Sequence, residues 1–199
     1  MRCFIGIDFN CEALKKVNNI SFSLAKSGVK GNFTSKNNIH LTLLFLGELD
    51  TSDIEKVKKI IDSISFDSFF IKVNKLTKLK DIIVLEVEKS SELLKLQKEI
   101  ALKIKNDCPN LKKANVDGEY YPHITLVREN KDNIFKEVNI ISEVRNIYLF
   151  SSSVIDKKLT YIVNGNFCII ISVTDCKKYI LNPTPQLNWV NIFLRKIPY

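Results

Sequence analysis

Only two histidines occur in the 199 residues of this chain, His40 and His123. There is no His-x-x-x-His, and neither histidine has carboxylates at metal-ligand spacing, which excludes the helical zinc motifs. The five cysteines (Cys3, Cys11, Cys108, Cys168 and Cys176) are odd in number and contain no Cys-x-x-Cys pair. That argues against a disulfide framework and a zinc ribbon, and it suits a reducing cytoplasm. The six glycines are scattered, so no glycine-rich loop is available to cradle a phosphate, and no Gly-x-Ser-x-Gly elbow occurs. The opening MRCFIGIDFN holds only a short apolar run before Asp8. It reads as neither a signal peptide nor a membrane span.

What remains is an ordinary globular composition with a basic surplus. Apolar residues make up 45% and charged residues 26%, and the length suits one large domain or two small lobes. Lys and Arg outnumber Asp and Glu by 30 to 22, a formal charge of +8. Such a surplus suits a polyanion such as RNA. The bland alternative is a solvated, lysine-rich surface, since most of the surplus is Lys scattered among Asn and Ile.

Helical and strand patterns alternate along the chain. CFIGID reads as a buried strand, and Asn10 can cap the helix that follows, with Ala13, Leu14, Val17, Ile20 and Leu24 at helical spacing up to Gly28. A second strand is expected over 38–46. Ser52 and Glu55 read as a capping box for a helix whose apolar face is Ile54, Val57, Ile60, Ile61 and Ile64. Strands are expected over 69–76 and 82–88. Ser91 and Glu92 open a third helix, with Leu94, Ile100, Ala101 and Ile104 turned inward. A strand over 121–127, a short helical piece over 132–138, and strands over 147–154 and 159–167 complete the pattern. The class is α+β or α/β. A catalytic unit is expected over residues 1–167. Residues 168–199, with Pro183 and Pro185 two apart and no caps, read as an extension of uncertain structure.

Both histidines lie in the same tetrapeptide pattern, His40-Leu41-Thr42-Leu43 and His123-Ile124-Thr125-Leu126. Residues two apart on a strand share a face, so each His and Thr point the same way, about 6–7 Å apart along the strand. The intervening Leu41, Leu43, Ile124 and Leu126 point into a core. A single His-x-Thr is ordinarily packing; the only two histidines of a chain placed in one repeated pattern, 83 residues apart (123 minus 40), point to function. Two imidazoles supply an acid and a base near neutral pH. Opening a cyclic phosphodiester needs both: one takes a proton from water and one gives a proton to the departing sugar oxygen. The residues require one of each without assigning them. Thr42 and Thr125 can hold non-bridging phosphate oxygens. Arg128 either neutralises charge on the phosphate or forms a surface ion pair with Glu129 or another acid. Strict alternation puts it on the face opposite His123, so the first role needs the strand to end or bulge near Val127.

Those segments, IHLTLLFLGEL and YPHITLVRE, resemble the signature strands of the two-histidine (2H) phosphoesterases, and within them the RNA 2′,3′-cyclic phosphodiesterases, also called 2′-5′ RNA ligases. MRCFIGIDF is similar to that group's first strand, and VRNIYLFSSSVIDKKLTYIV to its final hairpin. The resemblance covers about residues 1–167. It implies an α+β fold of two pseudo-symmetric lobes, each an antiparallel sheet with outer helices, around a central cleft. It implies hydrolysis of a terminal 2′,3′-cyclic phosphate to a 2′-phosphate, with reversible 2′-5′ ligation of tRNA halves associated with the group. His40 would then be the proton donor, His123 the proton acceptor, and Thr42, Thr125 and Arg128 the phosphate contacts. No metal or cofactor is implied. The partner would be an RNA end, the protein a cytoplasmic monomer without membrane attachment. A sister 2H phosphodiesterase acting on another cyclic nucleotide or RNA 3′ end, and a non-catalytic RNA-end-binding protein, are the alternatives.

Overall fold

Two antiparallel sheets share one apolar core in the computed structural model, which describes residues 1–155 and 158–164. The expected extension at 168–199 and the end of the last expected strand lie outside the described residues. The first sheet runs β3 (Leu41–Glu48), β1 (Arg2–Ile7), β8 (Tyr148–Ile155) and β9 (Lys158–Val163). The second runs β2 (Asn32–Phe33), β6 (His123–Arg128), β5 (Ile82–Val87), β4 (Phe69–Leu79) and β7 (Phe135–Val144). Every neighbouring pair is antiparallel. Ile5 and Leu43 from one sheet and Leu85 and Ile124 from the other belong to the same buried cluster. The α+β class and the two-sheet layout expected from the sequence are observed.

Among the described residues, three helices cover the sheets. Asn10 caps α1 (Cys11–Lys26), its Oδ1 accepting from the Ala13 N–H at 2.8 Å, and Ala13, Leu14, Val17 and Leu24 bury the apolar stripe. This helix packs against β7, whereas α2 (Thr51–Asp62) packs against β8, and α3 (Ser91–Asp107) against β3 and α2. No helix among the described residues is long and apolar enough to cross a membrane.

Several local expectations are corrected. The cap of α2 is Asp50, not Ser52: its Oδ1 accepts from the Asp53 N–H at 2.8 Å, and Glu55 pairs with Lys58 at 2.7 Å instead. Leu49 is tied down by its N–H to the Met1 carbonyl at 2.8 Å, so the chain turns at Asp50. A carboxylate there also suits the positive end of the helix. In α3 Ile100, Ala101 and Ile104 turn inward as expected, together with Leu93 and Leu96, whereas Leu94 is exposed. Residues 132–138 form no helix. From Phe135 the chain is a strand, paired with β4 from Thr77↔Phe135 to Phe69↔Val144. Long-range pairing outweighs a local pattern that fits either state. The strand expected from residue 38 begins at Leu41, behind a 3-10 turn at Lys36–Asn38, and the one expected from 121 begins at His123.

Gly31 precedes β2 with φ +138°, and a Cβ there would lie 2.5 Å from the Arg128 carbonyl oxygen and 2.7 Å from Val127 Cγ1. Only glycine lets the chain pass this close to the end of β6. Gly31→Ala is expected to cost about 1–3 kcal/mol through strain and displaced backbone, read as a lower urea midpoint.

Candidate active site

The two His-x-Thr segments head strands of different sheets that pack on one another, β3 and β6. Leu41 and Leu43, and Ile124 and Leu126, are at most 2% exposed, while His40, Thr42, His123 and Thr125 are half-buried. The two-faced division expected from the sequence is therefore present in both strands.

Each strand then breaks its alternation at the same offset. In β3 the register passes from Gly6↔Thr42 to Ile5↔Leu44, so Leu43 is an extra residue, and Leu43 and Leu44 are both buried. In β6 it passes from Val84↔Thr125 to Ile83↔Val127, so Leu126 is extra, and Leu126 and Val127 are both buried. A bulge three residues after each histidine turns the following side chains over. Arg128 thereby returns to the face of His123 and Thr125, which meets the geometric condition for a phosphate contact. Phe45 likewise returns to the face of His40 and Thr42. Arg128 is exposed, and neighbouring Glu129, at φ +56°, has its carboxylate engaged by Asn32 Nδ2 at 2.7 Å.

Both imidazoles are held in one way. His40 Nδ1 lies 2.7 Å from the Asn38 carbonyl oxygen, and His123 Nδ1 lies 2.8 Å from that of Tyr121. A carbonyl only accepts, so each Nδ1 carries the hydrogen, and proton exchange is left to Nε2. His40 Nε2 is 3.0 Å from Thr42 Oγ1. The clamping residues escaped the sequence reading, although the offset of minus two is identical in the two motifs. Asn38 is also buried, its Nδ2 donating to the Leu159 carbonyl at 2.7 Å and its Oδ1 accepting from the Tyr161 N–H at 3.1 Å. Its amide thus fastens the approach to His40 onto β9.

Tyrosines flank the second motif. The Tyr120 hydroxyl donates to the Thr42 carbonyl at 3.1 Å, joining the lead into β6 to β3, and burial pushes this phenol upward in pKa. The Tyr121 hydroxyl donates to Glu86 Oε2 at 2.9 Å. Burial, and then the Glu86 carboxylate, push it up to about 12, so it stays a neutral donor at physiological pH. Glu86 sits directly across from His123 in the β5–β6 ladder, with Lys75 3.9 Å away. Among the described residues no group of three or more His, Cys, Asp or Glu side chains is arranged to hold a metal ion.

Residues 31–153 match the model of a family described as the 2′-5′ RNA ligase superfamily. The chain is 31% identical over 138 residues to the RNA 2′,3′-cyclic phosphodiesterase of Thermotoga maritima, covering 64% of this chain and 70% of the relative. In fold it is similar to the crystal structure of TT0787 of Thermus thermophilus, with a TM-score of 0.72 at 18% identity, covering 82% of this chain and 94% of that one. It is also similar to E. coli LigT complexed with ATP, with a TM-score of 0.68 at 19% identity over 82% and 94% of the two chains. At such identities the structural likeness speaks for the fold alone.

Asn38→Ala leaves the Leu159 carbonyl and the Tyr161 N–H without their buried partner. A stability loss of about 1–3 kcal/mol is expected in urea unfolding. An unchanged midpoint would mean that the fastening to β9 contributes nothing.

Proposed function

The chain belongs to the 2′-5′ RNA ligase superfamily, and from that premise we propose that it is an RNA 2′,3′-cyclic phosphodiesterase working by paired-histidine acid–base catalysis. The observation that carries this reading is the matched clamp on Nδ1 of the two imidazoles, which supports Nε2 as the proton-exchanging atom in each half. His123 Nε2, starting neutral, takes a proton from water as its oxygen bonds to phosphorus. His40 Nε2, starting protonated, gives its proton to the ribose 3′ oxygen as the P–O3′ bond breaks. The product is a 2′-phosphomonoester with a free 3′ hydroxyl, and before the next turnover His123 gives its proton to solvent while His40 regains one from it. Thr42 and Thr125 donate hydroxyl hydrogens to the non-bridging oxygens and hold phosphorus in line. Arg128 offsets the charge that develops there. With a 5′ hydroxyl in place of water, the same proton transfers run in the direction of 2′-5′ ligation. The working form in this reading is a monomer in the cytoplasm, acting on RNA ends such as tRNA halves, with no metal taking part.

The direct test is an oligonucleotide ending in a 2′,3′-cyclic phosphate, incubated with the protein in EDTA. The expected product carries its phosphate on the 2′ oxygen. A 3′-phosphate product, or activity lost in chelator and restored by a divalent ion, would overturn the mechanism.

His40→Ala and His123→Ala should each lower turnover roughly 10²–10⁴-fold, and the double variant should lose much less than the product of the two, because one step uses both groups. Since one imidazole must start neutral and the other protonated, the rate should be bell-shaped in pH, with apparent pKa values belonging to the pair. Near-normal turnover in either single variant would rule out the paired mechanism.

A further inference from the structure

Each imidazole is clamped by a carbonyl two residues before it, and each clamping residue stands just ahead of its strand, β3 beginning at Leu41 and β6 at His123. A carbonyl in such a lead-in holds a ring only as firmly as its own residue is held. Asn38 is fastened to β9 through its side-chain amide. Tyr121 is followed by Pro122, which has no N–H, so the peptide that carries the clamping carbonyl brings no donor to the ladder. The next carbonyl, that of Pro122, accepts from the Val87 N–H at 3.0 Å. The Tyr121 side chain adds a tie of its own. Its hydroxyl donates to Glu86 Oε2 at 2.9 Å, and its ring centroid lies 5.8 Å from that of His123, the planes tilted by 37°. Glu86 stands on β5 directly across from His123, which brings the two Cβ atoms to roughly 4.5–5.5 Å. The same Oε2 has Lys75 Nζ, on β4, at 3.9 Å.

We propose that Tyr121 and Glu86 form a brace that orients His123, both acting as positioning residues. For its effect on rate the inference rests on the acid–base reaction proposed for the same site. The tie runs from a hydroxyl to a carboxylate, which is the stronger, charge-assisted class of hydrogen bond. Burial and the carboxylate keep the phenol protonated, so the donor persists at neutral pH. A swing of the Tyr121 carbonyl would turn the imidazole with it and carry Nε2 off line, and a misplacement of about 1 Å can cost about 10²-fold in rate. The brace links β4, β5 and the lead-in to β6, so the second sheet as a unit fixes one ring. Both motifs thus follow one logic with unlike parts. The residue two before each histidine gives its carbonyl to the ring and fastens itself by its own side chain, amide to backbone at Asn38 and phenol to carboxylate at Tyr121. The tie at His123 can therefore be cut while that at His40 is left whole.

The test uses the full chain, isotopically labelled on its histidine ring nitrogens. With only two histidines, NMR gives one set of imidazole signals for each ring, and His40 is the internal control. The quantity read is exchange of each Nδ1–H with water, in the absence of substrate. Tyr121→Phe, which keeps the ring, and Glu86→Ala should each speed exchange at His123 about tenfold and leave His40 unchanged. Glu86→Gln keeps an acceptor oxygen and should bring exchange back toward the wild-type rate. On the cyclic-phosphate oligonucleotide, Tyr121→Phe and Glu86→Ala should each lower kcat about tenfold with KM unchanged. The double variant should lose no more than either alone, because both break one bond. Unchanged exchange at His123 in both variants, or an equal change at both rings, would overturn the brace. Faster exchange at His123 with an unaltered kcat would overturn it too. A wild type without turnover would count against the proposed reaction, and the exchange rates would still decide the brace.

Discussion

A strand has two faces, and the site depends on how β3 and β6 divide theirs. Each must send a histidine and a threonine one way and two large apolar residues the other, with the second set at most 2% exposed in the common core. Pleat alone would then carry the next polar or aromatic side chain out of reach. The extra residues Leu43 and Leu126 remove that difficulty by adding a second consecutive buried residue. The core gains a contact and the cleft gains a side chain. Arg128 and Phe45 owe their positions to this single backbone device, and beside it Gly31 lets the chain run close to the end of β6.

A backbone carbonyl two residues upstream holds each histidine at Nδ1. A neutral peptide dipole fixes the tautomer without committing the ring to one charge state, which suits the acid and base roles proposed for the pair. What surrounds the two rings differs. His40 lies among Phe4, Phe150 and Tyr161, whereas His123 has Tyr121 beside it and Glu86 across the ladder. Backbone symmetry combined with unlike surroundings suits the two unlike roles proposed for the pair.

The sequence makes the four motif residues visible because period two and a repeated tetrapeptide are local signals. Arg128's face is not visible by alternation, since Leu126-Val127 is indistinguishable from any apolar pair until its partner β5 is known. The doubled apolar residues at 43–44 and 126–127, both just past a His-x-Thr, are in hindsight the available hint. Asn38 was hidden more deeply, because its side-chain partners at Leu159 and Tyr161 are 121 and 123 residues away. The region 132–138 misled for a similar reason: charged and apolar residues at mixed spacing allow a helix, and only the long β4 beside it selects a strand. The helix start at Asp50 was a smaller miss, decided by where Leu49 is anchored.

The order of strands has a consequence for how the chain is made. The five described strands of the second sheet come from residues 32–144, while the first sheet needs β1, at residues 2–7, beside β8, with Cys3 opposite Ser151. One sheet is therefore nested within the sequence span of the other. On a ribosome, the wall bearing His123 has its strands before the wall bearing His40, whose central strand waits about 145 residues for its second neighbour. Such non-local closure is slow, and an apolar strand held half-paired in the meantime is an open edge. Among the described elements the wall bearing His40 is thus the last to have all its strands, so the cleft between the two walls is complete only once β8 and β9 have been made.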